Sequence, residues 1–122
     1  MPVKRVPRGG STYSESVAVD GGGRWVFVSG QLAEGAAAGG SLFEQAHSCF
    51  NGIERALAYH GGTLADVLRI TAYLTSLEDF SQFAGARGER FGSERPASTA
   101  VQVAGLLGGA LLEVDAVALV EG

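Results

Sequence analysis

The chain has 122 residues, 46 % of them hydrophobic and 18 % charged, a globular composition with material for one core and not for two. Its net charge of −4 weighs against a phosphate-binding surface, and its lone cysteine, Cys49, excludes an internal disulfide and fits a reducing compartment. No apolar run approaches the roughly 20 residues that span a bilayer. The basic start MPVKRVPRGG has no apolar segment behind it, so the expectation is a soluble, cytoplasmic protein with a single domain over residues 1–122.

Lys4, Arg5 and Arg8 form the one basic cluster and read as a solvated N-terminal arm. Next, Ser16–Asp20 and Arg24–Ser29 are β-rich runs joined by Gly21, Gly22 and Gly23, a hairpin signal in which glycine supplies positive φ. Gln31–Gly40 is small and flexible and reads as a loop. Ser41 followed by Glu44 is a capping box, and apolar residues then recur with helical spacing at Leu42, Ala46, Cys49, Phe50, Ile53, Ala56 and Leu57 until Gly61 and Gly62. His47 falls on the polar face of this helix and His60 at its end, where both read as surface residues.

Val67–Thr75 is a strand, with Leu68, Ile70, Ala72 and Leu74 on one face and Val67, Arg69, Thr71, Tyr73 and Thr75 on the other. A second helix starts in the segment Ser76–Asp79, carries Phe80, Phe83, Ala84, Arg87 and Phe91 on one stripe, is weakened by Gly85 and Gly88, and closes at Gly92 and Pro96. Two strands follow, Ser98–Val103 and Leu111–Val120. The order is ββαβαββ, an α+β arrangement. Right-handed crossovers put both helices on one face of a mixed sheet. The other face is left half apolar, with Val67, Thr71, Tyr73, Leu111, Val117 and Leu119, and is expected to pack against copies of the same chain.

The last strand is the most informative. Leu112, Val114, Ala116, Ala118 and Val120 form an apolar face, which places Glu113 and Asp115 on the other, about 7 Å apart. A carboxylate at such an interface must be paired, hydrated or functional. Two readings stay open: a structural ion pair, for instance with Arg69, and a general acid/base in an interface cleft. Elsewhere the signals are bland. The histidines have no metal-ligand spacing, so no metal is expected. Cys49 lies on the apolar helix stripe as a structural thiol, no phosphate-binding glycine motif is present, and Ser29 lacks a nucleophile context.

Tyr13, Val26-Phe27-Val28-Ser29-Gly30-Gln31, the long first helix, Thr71-Ala72-Tyr73-Leu74, Asp79-Phe80, Pro96–Ala104 and Leu112–Ala116, in this order and spacing, resemble the RidA/YjgF family from about Gly10 onward. The resemblance implies a chorismate-mutase-like α+β fold and a homotrimer with a site at each subunit interface. It also implies hydrolysis of reactive enamines and imines such as 2-aminoacrylate; no cofactor, nucleic acid or membrane partner is expected. Carried over by position, Glu113 matches the family glutamate that activates water, Tyr13 the pocket tyrosine, and Ser29 and Gly30 the loop lining the site.

The family arginine that holds the substrate carboxylate has no counterpart, because Pro96-Ala97-Ser98-Thr99 places Ser98 there; a family asparagine is likewise replaced by Ala84. Losing a bidentate, charge-assisted contact removes roughly 2–3 kcal/mol of carboxylate binding. A free α-imino acid is therefore not the expected substrate, with Arg95 and Arg69 as the remaining candidates for its anchor. The expectation is an enzyme acting on an imine, enamine or related intermediate not held by an α-carboxylate, with Glu113 as acid/base and Tyr13 and Ser98 positioning the substrate. The alternative is a non-catalytic trimer that binds a metabolite or a protein. Ribonuclease activity is disfavoured, since the acidic chain shows neither a basic groove nor the histidine pair that RNA cleavage favours.

Overall fold

The computed structural model describes residues 3–7, 9 and 14–121. The elements are β1 (Val3–Pro7), β2 (Ser14–Asp20), β3 (Arg24–Leu32), α1 (Leu42–Ala58), β4 (Val67–Leu74), α2 (Phe80–Phe91), β5 (Ala97–Gln102) and β6 (Leu112–Val120). One sheet of six strands has the order β1-β2-β3-β6-β4-β5, antiparallel throughout except for the parallel β4–β5 pair. This is the α+β arrangement expected, with one strand more. The basic segment read as a solvated arm contains β1, which pairs along β2 from Val3↔Val19 to Pro7↔Ser14. A strand hidden in VKRVP is an edge strand whose charges and terminal proline blunt further pairing, and those same residues mask its β signal.

The hairpin between β2 and β3 turns where expected, with Gly22 and Gly23 at φ 71° and 118°. α1 begins at the Ser41 cap, whose side chain accepts from the Glu44 N–H while the Glu44 carboxylate accepts from Ser41 N at 3.0 Å. Those hydrogen bonds hold the Glu44 carboxyl below its usual range.

The core lies between the helices and one face of the sheet. The stripe of α1 meets Val26, Val28, Ile70, Ala72, Leu74, Leu112, Val114, Ala116 and Ala118, all buried. Phe50 of α1 receives Phe91 of α2 edge-on at 5.3 Å and Phe83 at 6.0 Å, and all three rings are buried. Each ring contributes roughly 2–3 kcal/mol on leaving water. Among the described residues, no helix is long and apolar enough to cross a membrane.

Two departures from the simple alternation matter. In β4 the pairing with β6 shifts between Val67 and Arg69, so Val67 turns into the core and Leu68 is 44 % exposed, the reverse of the expected faces. A bulge adds one residue and inverts the pattern on one side of it, which alternation alone does not reveal. His60 is the second. Its ring is buried with Nε2 2.8 Å from the Ser16 hydroxyl, and is not the surface residue expected from its place at a helix end. Cys49 is buried as expected; burial and the nearby Glu113 carboxylate push its thiol up to about 12, which leaves it inert.

The face away from the helices carries Trp25 and Phe27, 36 % and 48 % exposed, with Val117 and Leu119 opposite them in register. Farther along the same face come Glu113, Asp115, Thr71 and Tyr73, half-buried. The chain thus presents a broad sheet face that is apolar at one end and acidic at the other.

Candidate functional site

The acidic end is shaped by a second bulge. Along β3, Val28 pairs with Ala116 but Gln31 pairs with Val114, so Ser29 and Gly30 together stand opposite Asp115. The extra residue leaves backbone groups out of the ladder and bends the strand. Two buried glutamines hold it there. The Gln31 amide donates to Glu15 Oε1 at 3.1 Å and to the Ser29 carbonyl at 3.0 Å, while its Oε1 packs against Gly52 of α1, where no Cβ would fit. Gln45 of α1 donates to the carbonyls of Ala38 and Gly40 and accepts from Leu111 N at 3.0 Å, which ties the loop after β3 to the start of β6. Ser29 completes the clamp by donating its hydroxyl to the Ser14 carbonyl at 2.6 Å.

The bulge opens space for Glu113. A Cβ on Gly30 would lie 2.6 Å from Glu113 Oε2 and 2.8 Å from its Cδ, so the carboxylate leans directly over the Gly30 backbone. That is a close approach only glycine allows. Glu113 is also the register partner of Tyr73, whose hydroxyl donates to Asp115 Oδ2 at 3.0 Å. Burial, this hydrogen bond and the negative charges of Asp115 and Glu113 raise the Tyr73 pKa, with Arg69 working against them. The two carboxylates therefore differ: Asp115 is held by a phenol, while Glu113 projects over an irregular backbone. Among the described residues, no ion pair joins Arg69 to either carboxylate.

Of the five residues expected at a site, Glu113, Ser29 and Gly30 come together on the open face. Tyr13 lies outside the described residues. Ser98 is elsewhere: it pairs with Ile70, a core residue, so its side chain projects on the helix side of the sheet, where its hydroxyl accepts from Arg87 of α2 at 2.9 Å. Ser98 lines a groove of about 440 Å³ with Ala84, Arg87, Gly88, Phe91, Arg95 and Pro96. Arg95 is thus beside Ser98, whereas Arg69, paired with Val117, belongs to the opposite face. A second groove of about 320 Å³, bordered by Val6, Glu15, Arg55 and Tyr59, lies away from both.

Sequence reasoning passed over Gln31, Gln45, Tyr73 and Arg87 as site residues. Gln45 carried a signal, since it falls on the buried stripe of α1 among Leu42, Ala46 and Cys49. A polar residue there must find partners. Arg87 carried the same kind of signal, a charge on the stripe of α2 with Phe80, Phe83 and Phe91.

Comparison with known proteins adds to this geometry. The family model described as Endoribonuclease L-PSP matches residues 4–120. A RutC family protein of Pyrococcus abyssi is 32 % identical over 122 residues, covering 97 % of this chain and 94 % of its own. A 2-iminobutanoate/2-iminopropanoate deaminase of Capra hircus is 32 % identical over 119 residues, covering 94 % of this chain and 85 % of its own. Among solved structures, a member of the YjgF/YER057c/UK114 family from Mycobacterium tuberculosis superposes with a TM-score of 0.85 at 30 % identity, covering 98 % of this chain and all of its own.

Proposed function

The chain belongs to the Endoribonuclease L-PSP family, the YjgF/RidA proteins, and from that premise we propose that it hydrolyses a reactive imine or enamine at a site shared between subunits of a homotrimer. The observation that carries this reading is the Glu113 carboxylate leaning over the Gly30 bulge on a sheet face that the chain itself leaves uncovered. A carboxylate on an open face can orient a water and take its proton.

An enamine first gains a proton at carbon and loses one from nitrogen to become the imine. As the water oxygen bonds to the imine carbon, Glu113 accepts a proton from the water and the C=N electron pair moves to nitrogen. Glu113 then returns the proton to nitrogen, giving the carbinolamine; as it next takes the hydroxyl proton and passes it to the amino group, C=O forms, the C–N bond breaks and ammonia leaves. The products are a carbonyl compound and ammonia. The imine class is supported by the deaminase relative named above. The shared site is supported by the opposed faces: Glu113 and Ser98 lie on different sides of one sheet, so only a second copy could bring its groove up to this carboxylate.

The test is the decay of 2-aminoacrylate and of bulkier imines, generated enzymatically in situ and followed by release of the carbonyl product. Wild type is expected to accelerate decay over buffer and Glu113→Ala to lose that acceleration. If both match buffer on every imine, the chain is a binding module, the reading that Ser98 in place of an arginine favours.

A further inference from the structure

The Tyr73 phenol has a single proton to donate and carboxylates on either hand to receive it. Its register partner across β4 and β6 is Glu113, while Asp115, the partner of Thr71, is the next residue along β6 on the same face. Opposed side chains in such a pair stand about 5 Å apart at Cβ and diagonal ones about 7–8 Å, a reach that a tyrosine ring spans. The phenol takes the diagonal, and its hydroxyl donates to Asp115 Oδ2 at 3.0 Å. Burial, that hydrogen bond and the charges of Asp115 and Glu113 keep the proton on the phenol above its ordinary range, against the pull of Arg69.

Glu113 is turned the other way. β6 lies between β3 and β4, and the Glu113 carboxylate leans toward β3, where a Cβ on Gly30 would meet its Oε2 at 2.6 Å. The Tyr73 ring closes the β4 side and the bulge receives the carboxylate on the other. Among the described residues no side chain donates to Glu113. The Ser29 hydroxyl is committed to the Ser14 carbonyl at 2.6 Å, and the Cys49 thiol, buried behind the sheet, is directed to the Leu112 carbonyl. Arg69 on β4 forms no ion pair among the described residues. A phenol that donated to Glu113 would stabilise the charged carboxylate and weaken it as a base toward water. Asp115 prevents this by taking the one proton the ring has.

We infer that Asp115 is a positioning residue for the proposed hydrolysis: by holding the Tyr73 phenol it keeps Glu113 free of side-chain donors and on the Gly30 side, with its acceptor capacity left for water. The link to turnover rests on the reading of Glu113 as the base, while the pairing of the phenol is open to a test that needs no substrate.

Imine turnover is measured for wild type, Asp115→Asn, Asp115→Ala, and Asp115→Ala combined with Tyr73→Phe. The expected kcat of Asp115→Ala is about tenfold or more below wild type with KM little changed, because the freed phenol binds the base and not the substrate. Asp115→Asn, whose side-chain oxygen still accepts from the phenol, keeps most of the rate. So does the double variant, whose ring has no proton to misplace. A double variant as slow as Asp115→Ala overturns the inference, since Asp115 then matters for its own charge or for folding. In parallel the Tyr73 phenol is titrated by NMR of ring-labelled protein. In Asp115→Ala it is expected to keep a raised midpoint, with Glu113 accepting in place of Asp115, and adding Glu113→Ala lowers that midpoint by about one pH unit or more. Equal midpoints in these two variants also overturn the inference, because the freed phenol then turns to solvent. If wild type hydrolyses no imine but the titrations behave as expected, the pair stands and the proposed reaction falls. If imine is hydrolysed and Asp115→Ala is as fast as wild type, the reaction stands and the pair falls.

Discussion

His60 shows how a single residue can carry a pH response without belonging to a site. Its Nε2 is 2.8 Å from the Ser16 hydroxyl, its Nδ1 has no partner among the described residues, and Arg24 donates to its carbonyl at 3.1 Å. Burial first, then the positive charges of Lys4 and Arg24, hold its pKa below the usual 6.5. The folded ring therefore stays neutral at a pH where the unfolded chain has taken up a proton. With more protons bound in the unfolded state, stability rises with pH, so the His60 contribution is present above about pH 6.5 and is lost as pH falls below it. Thermal melting between about pH 7.5 and about pH 5.5 is expected to lower the wild-type Tm more than that of His60→Gln, which keeps a polar partner for Ser16 and does not titrate. Equal slopes for the two proteins are the contrary result.

At the scale of elements, the decisive feature is the bulge in β3. Regular pairing would put one residue opposite Asp115; Ser29 and Gly30 both stand there, and Glu113 occupies the space above Gly30. Gly30→Ala places a methyl where the carboxylate now sits, at 2.6 Å from Oε2, and the far end of Glu113 must swing away. A catalytic group misplaced by about 1 Å loses about a hundredfold in rate. Turnover of imine by Gly30→Ala is accordingly expected to fall by about that factor while Tm moves by only a few degrees, because the displaced atoms are the end of a flexible side chain. Full activity in this variant means the position of Glu113 does not matter to the reaction.

For the whole molecule, the open sheet face sets the requirement. Trp25 and Phe27 remain 36 % and 48 % exposed beside Val117 and Leu119, a contiguous apolar area that a lone chain leaves in water. The proposed trimer buries it. Phe27→Glu sets a charge in the middle of that face, at a desolvation cost of several kcal/mol if the interface forms. Light scattering is expected to report three copies of the 12.5 kDa chain for wild type and single copies for the variant, with helical content retained. An unchanged mass for Phe27→Glu places the assembly surface elsewhere.

The elements that depend on neighbouring residues were legible directly. The Ser41 capping box, the glycine turn after Asp20 and the strict alternation of Leu112 to Val120 are local rules, and each appears where those rules put it. The same alternation separated Glu113 and Asp115 from the core, and the family resemblance marked Ser29 and Gly30 beside them. What the sequence could not carry were the features made by pairing across the chain. The bulges at Leu68 and Ser29–Gly30 depend on how two strands settle against a third, and the β1 edge depends on finding β2. Nor could it tell that, within one chain, the parity of two different strands puts Ser98 and Glu113 on opposite sides of the sheet. Arg87 lies four residues past Phe83 on the stripe of the second helix, which does not say what its guanidinium meets. Only the packing of α2 over β5 brings its guanidinium to Ser98. Local chemistry thus determined the elements and the face on which Glu113 stands, while long-range packing decided which groups meet it and from which side.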